Sequence, residues 1–199
     1  QTTSPAGSDA EEDCLDLCPA GKTGPAGSCT ACEASKYKST NGPDACIVCP
    51  PNTDSAENSA SCSCNEGFTG PNGGPCVGCV AGKYKGTSGP VACTNCVAGK
   101  YSTATSATSD TVCTKCDAGK YAETEGNNNE DLCLACNKGT YSDVPGAASQ
   151  YTCDNCDAGK YSGSVGAASS ASCLACSNGT YSAAVGATSI DTCTACGGG

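Results

Sequence analysis

Cysteines come in C-x-x-C pairs at a fixed step along much of this chain. Pairs begin at Cys93, Cys113, Cys133, Cys153, Cys173 and Cys193, each twenty residues after the last. In all, 22 of 199 residues are cysteine, above the roughly 8–10% that marks a disulfide scaffold. The apolar share of 38% counts those cysteines and many alanines, and the chain holds no Trp and one Phe. That leaves too little aliphatic material for the single core a globule of this length requires. The folded state must be held by covalent crosslinks, in many small units.

Between the pairs runs a common text. Cys116–Cys133, Cys136–Cys153 and Cys156–Cys173 all read C-x-x-G-[KT]-Y-[SA]-x-x-x-G, and Cys176 opens another copy. Cys96 opens one with Gly99 and Tyr101 but without the second glycine. Upstream the rule loosens. Cys79–Cys93 and Cys32–Cys46 are three residues shorter, and Ser35 stands where the first glycine is expected. Cys18–Cys29 is shorter still, with Thr23 at the Tyr position, and residues 49–76 carry a C-x-C at Cys62 and Cys64.

Each position has a physical reading. The first glycine takes a tight-turn conformation that a Cβ would oppose. The Tyr two residues on (Tyr84, Tyr101, Tyr121, Tyr141, Tyr161, Tyr181) is the one large side chain of the common text. It is expected to lie across a neighbouring cystine with its hydroxyl at the wet edge. The second glycine (126, 146, 166, 186) reads as the return turn of a short irregular hairpin. An interval of this length holds two strands of about three to five residues and no helix. The expected class is small and disulfide-rich: tandem short β-hairpin or irregular cysteine-rich repeats, stacked on their neighbours into an elongated rod. Four regions are expected. Residues 1–28 form an acidic segment with the first short loop, 29–76 a distinct cysteine-rich module, 77–196 the regular repeats, and 197–199 a Gly tail that starts another.

Two pairings satisfy the spacing. In a ladder, the second Cys of each pair bonds the first Cys of the next: Cys18–Cys29, Cys32–Cys46, Cys49–Cys62, Cys64–Cys76, Cys79–Cys93, Cys96–Cys113, Cys116–Cys133, Cys136–Cys153, Cys156–Cys173 and Cys176–Cys193. Cys14 and Cys196 are then left over, candidates for a bond to another chain or to further repeats. In a block scheme, neighbouring pairs bond two-to-two, as in Cys133–Cys153 with Cys136–Cys156. The block scheme requires alternate intervals to differ, and the common text favours the ladder.

Charge and composition exclude several functions. Acidic residues outnumber basic ones 20 to 10, a net charge of −10 with no basic run, so nucleic acid and anionic membrane surfaces repel the chain. Without His, the usual Ser or Cys triads cannot form, and we read no enzyme and no catalytic residues. The spacing of 113/116 with 133/136 also fits a zinc site, but the pairs run on ungrouped and no metal or other cofactor is expected. Asp9, Glu11, Glu12, Asp13 and Asp16 could collect Ca²⁺ weakly, without the spacing of a calcium loop. So many cysteines point to an oxidising compartment. No apolar run approaches the roughly 18 residues of a membrane span. With Gln at position 1, the chain reads as a mature secreted form. Asn178-Gly179-Thr180 is the sole N-glycosylation acceptor, and Ser- and Thr-dense stretches such as 102–111 are either hydrophilic turns or O-glycan carriers.

The stretch Cys29–Cys76 resembles the cysteine-rich, EGF-like region of ephrin receptors. It shares the C-x-x-C followed by Lys36-Tyr37, a second pair followed by Pro50-Pro51-Asn52-Thr53, and the C-x-C leading to Gly67-Phe68. EGF order implies crossed bridges there, Cys32–Cys49 with Cys46–Cys62. The later repeats are similar to growth-factor-receptor and tumour-necrosis-factor-receptor modules. Uniform copies with small residues and no aromatic patch also look like subunits of flagellar tubular hairs (mastigonemes) or ciliate cysteine-repeat surface antigens. The resemblance implies a structural subunit of a glycosylated extracellular filament, self-assembling as a homopolymer. Its alternative is a monomeric surface antigen or adhesive binding module.

Overall fold

The computed structural model describes residues 17–25 and 27–197. Cys14, the acidic run at 9–16 and the last two glycines lie outside them.

Ten disulfides join the cysteines in sequential order. Cys18 bonds Cys29, Cys32 bonds Cys46, Cys49 bonds Cys62, Cys64 bonds Cys76 and Cys79 bonds Cys93. The series continues as Cys96–Cys113, Cys116–Cys133, Cys136–Cys153, Cys156–Cys173 and Cys176–Cys193. Neither the two-to-two blocks nor the crossed EGF order is adopted. Cα–Cα separations of 5.4 to 5.8 Å suit an unforced cystine.

Each repeat contributes one minimal antiparallel hairpin, and its strands are two residues long, shorter than the sequence suggests. Lys120–Tyr121 pairs with Leu134–Ala135 in the register Lys120↔Ala135, Tyr121↔Leu134. Lys100, Thr140, Lys160 and Thr180 head equivalent hairpins. The second strand lies inside the next C-x-x-C, so each hairpin ends where the following cystine begins. A two-stranded ribbon of this size is not stable alone.

The intervals come in lengths, and length decides local structure. Where cystine partners are 17 apart, a one-turn 3₁₀ helix precedes the closing cysteine, at Asp110–Val112, Glu130–Leu132, Gln150–Thr152, Ser170–Ser172 and Ile190–Thr192. No α-helix forms among the described residues, in keeping with the interval length. Three extra residues are one 3₁₀ turn, and in it the Cys113 N–H donates to Asp110 O at 2.9 Å. Ser109, Ser149 and Ser189 cap three of these turns by accepting a backbone N–H two residues on.

Where the partners are 14 apart, the loop closes on a lysine instead. Both such loops read Lys-Tyr-Lys, and the second lysine is buried: Lys38 is 2% exposed and Lys85 3%. The Lys85 ammonium donates to Phe68 O and Gly89 O, each at 2.6 Å. The Lys38 ammonium donates to Lys22 O at 2.7 Å and to Gly42 O. A buried cation is tolerable only when its protons are taken up in this way. In the longer loops the same position is small and buried: Ser102, Ala122, Ser142, Ser162 and Ser182.

The described chain forms two compact units. One takes described residues 17–25, 27–79, 85–93 and 106–108, the other 80–84, 94–105 and 109–197.

Two outcomes are expected. Dithiothreitol should abolish the dispersed amide NMR spectrum while EDTA leaves it unchanged, because each cystine contributes roughly 3 kcal/mol and no other core replaces it. Lys85→Met should lower unfolding free energy in guanidinium by about 2 kcal/mol, because Phe68 O and Gly89 O lose a charged donor.

Candidate functional site: the seat between repeats

Successive repeats bond backbone to backbone, in the same way at each step. The N–H of the first glycine donates to the carbonyl of the small residue after the next repeat's Tyr: Gly99 to Ala122, Gly119 to Ser142, Gly139 to Ser162 and Gly159 to Ser182, all at 2.8 Å. That small residue's N–H donates onward, Ala122 to Ala147 O, Ser142 to Ala167 O and Ser162 to Ala187 O. The second glycine bonds back, Gly126 N–H to Cys96 O and Gly146 N–H to Cys116 O. A parallel bridge between each Tyr and the next repeat completes the joint, as in Tyr121↔Ala147 and Tyr141↔Ala167.

The second glycine is therefore not the return turn of its own hairpin. It is the part of a repeat that sits on the repeats before it. Its carbonyl presses on the first glycine two repeats back: a Cβ on Gly99 would lie 2.1 Å from Gly146 O, and one on Gly119 would lie 2.3 Å from Gly166 O. Gly82 meets Gly126 O and Gly139 meets Gly186 O in the same way. The rule survives without glycine. Gly21 meets Asn58 O and Gly67 meets Ser106 O, and Asn58 and Ser106 both adopt positive φ, 62° and 52°, despite the cost of that region to a side chain. Ser106 thus fills the place where the Cys96 repeat lacks its glycine.

The tyrosines close the joint on its apolar side. Tyr101 packs against the cluster of Cys116, Cys133 and Ala122, and Tyr121, Cys136 and Ala147 form the next such cluster, with Cys153 against it. Each of these two rings covers the cystine of the following repeat. Tyr121 is 9% exposed, whereas Tyr181, with no following cystine among the described residues, is 55% exposed. Tyr84, Tyr141 and Tyr161 are half-buried.

Sequence reasoning does not assign the small residues of the joint. Ala107, Asn127, Ala147, Ala167 and Ala187 are buried one residue after the second glycine or its substitute, and their near-constancy at twenty-residue steps is the available signal. The buried Lys38 and Lys85 are announced only by Lys-Tyr-Lys.

Of the remaining candidates, Asn178 is exposed in the turn before Thr180. Cys196 is exposed and unbonded, yet its N–H donates to Gly179 O at 2.9 Å, as Cys176 does to Gly159 O. Among the described residues no group of His, Cys, Asp and Glu is placed to hold a metal, and the C-x-x-C pairs weighed for zinc are consumed by disulfides. The Lys120–Glu130 pair, 2.7 Å, raises the Lys120 pKa above its ordinary value through the hydrogen bond to Glu130. Such an exposed pair contributes little to stability.

A model of the family described as "Tyrosine-protein kinase ephrin type A/B receptor-like" matches residues 147–193. The match lies on the regular repeats, whereas the motif resemblance lies on Cys29–Cys76. A search of the curated proteins found no match. Residues 147–193 are thus similar to receptor-like cysteine-rich repeats, and the ten disulfides among the described residues suit an oxidising, extracellular environment. No helix among the described residues is long and apolar enough to cross a membrane.

Gly99→Ala should destabilise by roughly 3 kcal/mol or more, since a Cβ meets backbone that cannot yield. Gly159→Ala carries the same backbone strain at φ 81° but meets nothing within 4 Å. It should cost about 1 kcal/mol. Denaturant melts of the two oxidised variants measure the difference, which is the contribution of the seat.

Proposed function

We propose that this chain is a non-enzymatic structural subunit of a glycosylated extracellular filament of the flagellar-hair, or mastigoneme, type. The observation that carries the reading is the repetition of one joint. The same hydrogen bonds, the same glycine seat and the same Tyr-on-cystine contact recur at twenty-residue steps. A joint that recurs in this way suits a rod whose role is length and stiffness.

Assembly proceeds by end-to-end and lateral contact of such rods, with the acidic segment 1–28 as docking element. Exposed, unbonded Cys196 and Cys14, which lies outside the described residues, are the candidates for bonds between chains or to further repeats, and glycan on exposed Asn178 adds solubility that a small core cannot supply.

The match to a receptor-like family favours a second reading, a monomeric surface antigen or adhesive module. Electron micrographs of native material separate the two: filaments that label with antibody to this chain support the first. A dispersed, membrane-associated coat supports the second. On non-reducing gels the filament reading expects covalent multimers that collapse to one band with reductant, and a single monomer band would remove the intermolecular disulfide.

A further inference from the structure

Most repeats differ from one another only where a side chain faces solvent, so they serve as controls for each other. One departs from the rest at several positions that converge on one place. Around the repeat Cys136–Cys153 lies a depression of about 660 Å³, lined by Glu123, Asn137, Gln150, Tyr151, Asp154 and Asn155. Tyr151 is the one tyrosine outside the common text, and it stands 96% exposed. Thr111, Asp131, Ala171 and Asp191 occupy its place in the neighbouring repeats; at the place of Asn155 stand Lys115, Ala135, Ala175 and Ala195, with an Asn again at Asn95.

Asn155 lies against Gly186 of the joint, as Asn95 lies against Gly126, but nothing in the joint accounts for Asn137, Gln150, Tyr151 or Asp154. Among the described residues, the side chains of Asn137, Gln150, Tyr151, Asp154 and Asn155 make no hydrogen bond. Glu123 is oriented over the depression by accepting the Gln150 backbone N–H at 3.1 Å. An aromatic ring left bare in water beside unpartnered amides and carboxylates is an arrangement that gains by covering.

From this convergence we propose that the depression binds a neutral oligosaccharide. No cation lines it, and the carboxylates of Glu123 and Asp154 repel phosphate, sulfate and uronate groups. Amides that donate and accept, beside carboxylates that only accept, match the mixed donor–acceptor character of sugar hydroxyls. The Tyr151 ring offers a flat apolar surface to the C–H face of a pyranose. The volume falls in the range of small-ligand sites. The site does not rest on the filament reading, since it lies within one repeat and its neighbour.

The test is titration of the ¹⁵N-labelled, fully oxidised chain with cellotetraose, laminaritetraose and mannotriose, followed by amide NMR. At least one should give saturable shifts confined to Glu123 and residues 137–140 and 150–155. Tyr151→Ala should weaken that binding at least about ten-fold while leaving other amide positions unchanged, because the ring packs on nothing. Asp131→Tyr, the same change one repeat earlier, should create no second site. Absence of shifts with all three sugars up to about 10 mM, or binding that survives Tyr151→Ala, overturns the proposal.

Discussion

Repeats in this chain are held together by backbone pressed on backbone, and that contact leaves no space for a Cβ. The carbonyl at the second glycine of one repeat rests on the first glycine two repeats earlier, with the hydrogen bonds of the intervening repeat between them. The remaining features of a repeat serve this seat. The cystine fixes the loop that carries the second glycine, and the hairpin presents the first. The small residue after Tyr is buried because its N–H and carbonyl are both in use toward neighbours. Lys85 makes the same two bonds in a shorter loop, accepting from Gly67 N–H and donating to Ala107 O.

The seat explains why the chain manages with so little apolar matter. Ordinary domains gain stability from burying aliphatic side chains, whereas here the buried hydrophobic residues are cystines, small alanines and a single tyrosine. Crosslinks lower the entropy of the unfolded chain, which reduces what packing must supply. Packing then has only to hold the correct loop geometry once the cystine is closed. Two ways of holding it coexist. The longer loops insert a 3₁₀ turn and bury Ser or Ala. The shorter ones omit the turn and place an ammonium group among the carbonyls that the tighter loop turns inward.

Much of this is legible in the residues. The cysteine spacing and the uniform text point to sequential pairing, because equal sequence requires equal environments. Crossed pairing comes from resemblance alone, and Cys32–Cys46 contradicts it. The second glycine misleads for a physical reason. A glycine in mid-loop signals positive φ whether the loop returns on itself or lies on a neighbour, and only the partner of its N–H distinguishes the two. Strands are shorter than the interval suggests because its residues are spent on contacts with other repeats, which no single interval discloses. Ser106 carries no signal at all: its left-handed backbone is imposed by the seat of Gly67, against its own preference.

The contact reaches two repeats along the chain, yet it recurs at each twenty-residue step. Gly119 sits under Gly166 and Gly139 under Gly186, so alternate repeats touch. The exposed text alternates across four of these hairpins, though not at Lys100-Tyr101, which faces Thr114-Lys115. Lys120-Tyr121 faces Leu134-Ala135 and Lys160-Tyr161 faces Leu174-Ala175, while Thr140-Tyr141 faces Asp154-Asn155 and Thr180-Tyr181 faces Thr194-Ala195. The cysteines, first glycines and tyrosines that build the joint do not alternate between these repeats. Leu134, Leu174 and Asp154, which do, are exposed. Structure and surface are thereby uncoupled: the positions that set the joint are uniform, and those that meet solvent vary without cost to it. That separation is what lets one repeat acquire a bare tyrosine and a ring of amides while its cystine and its seat remain like those on either side.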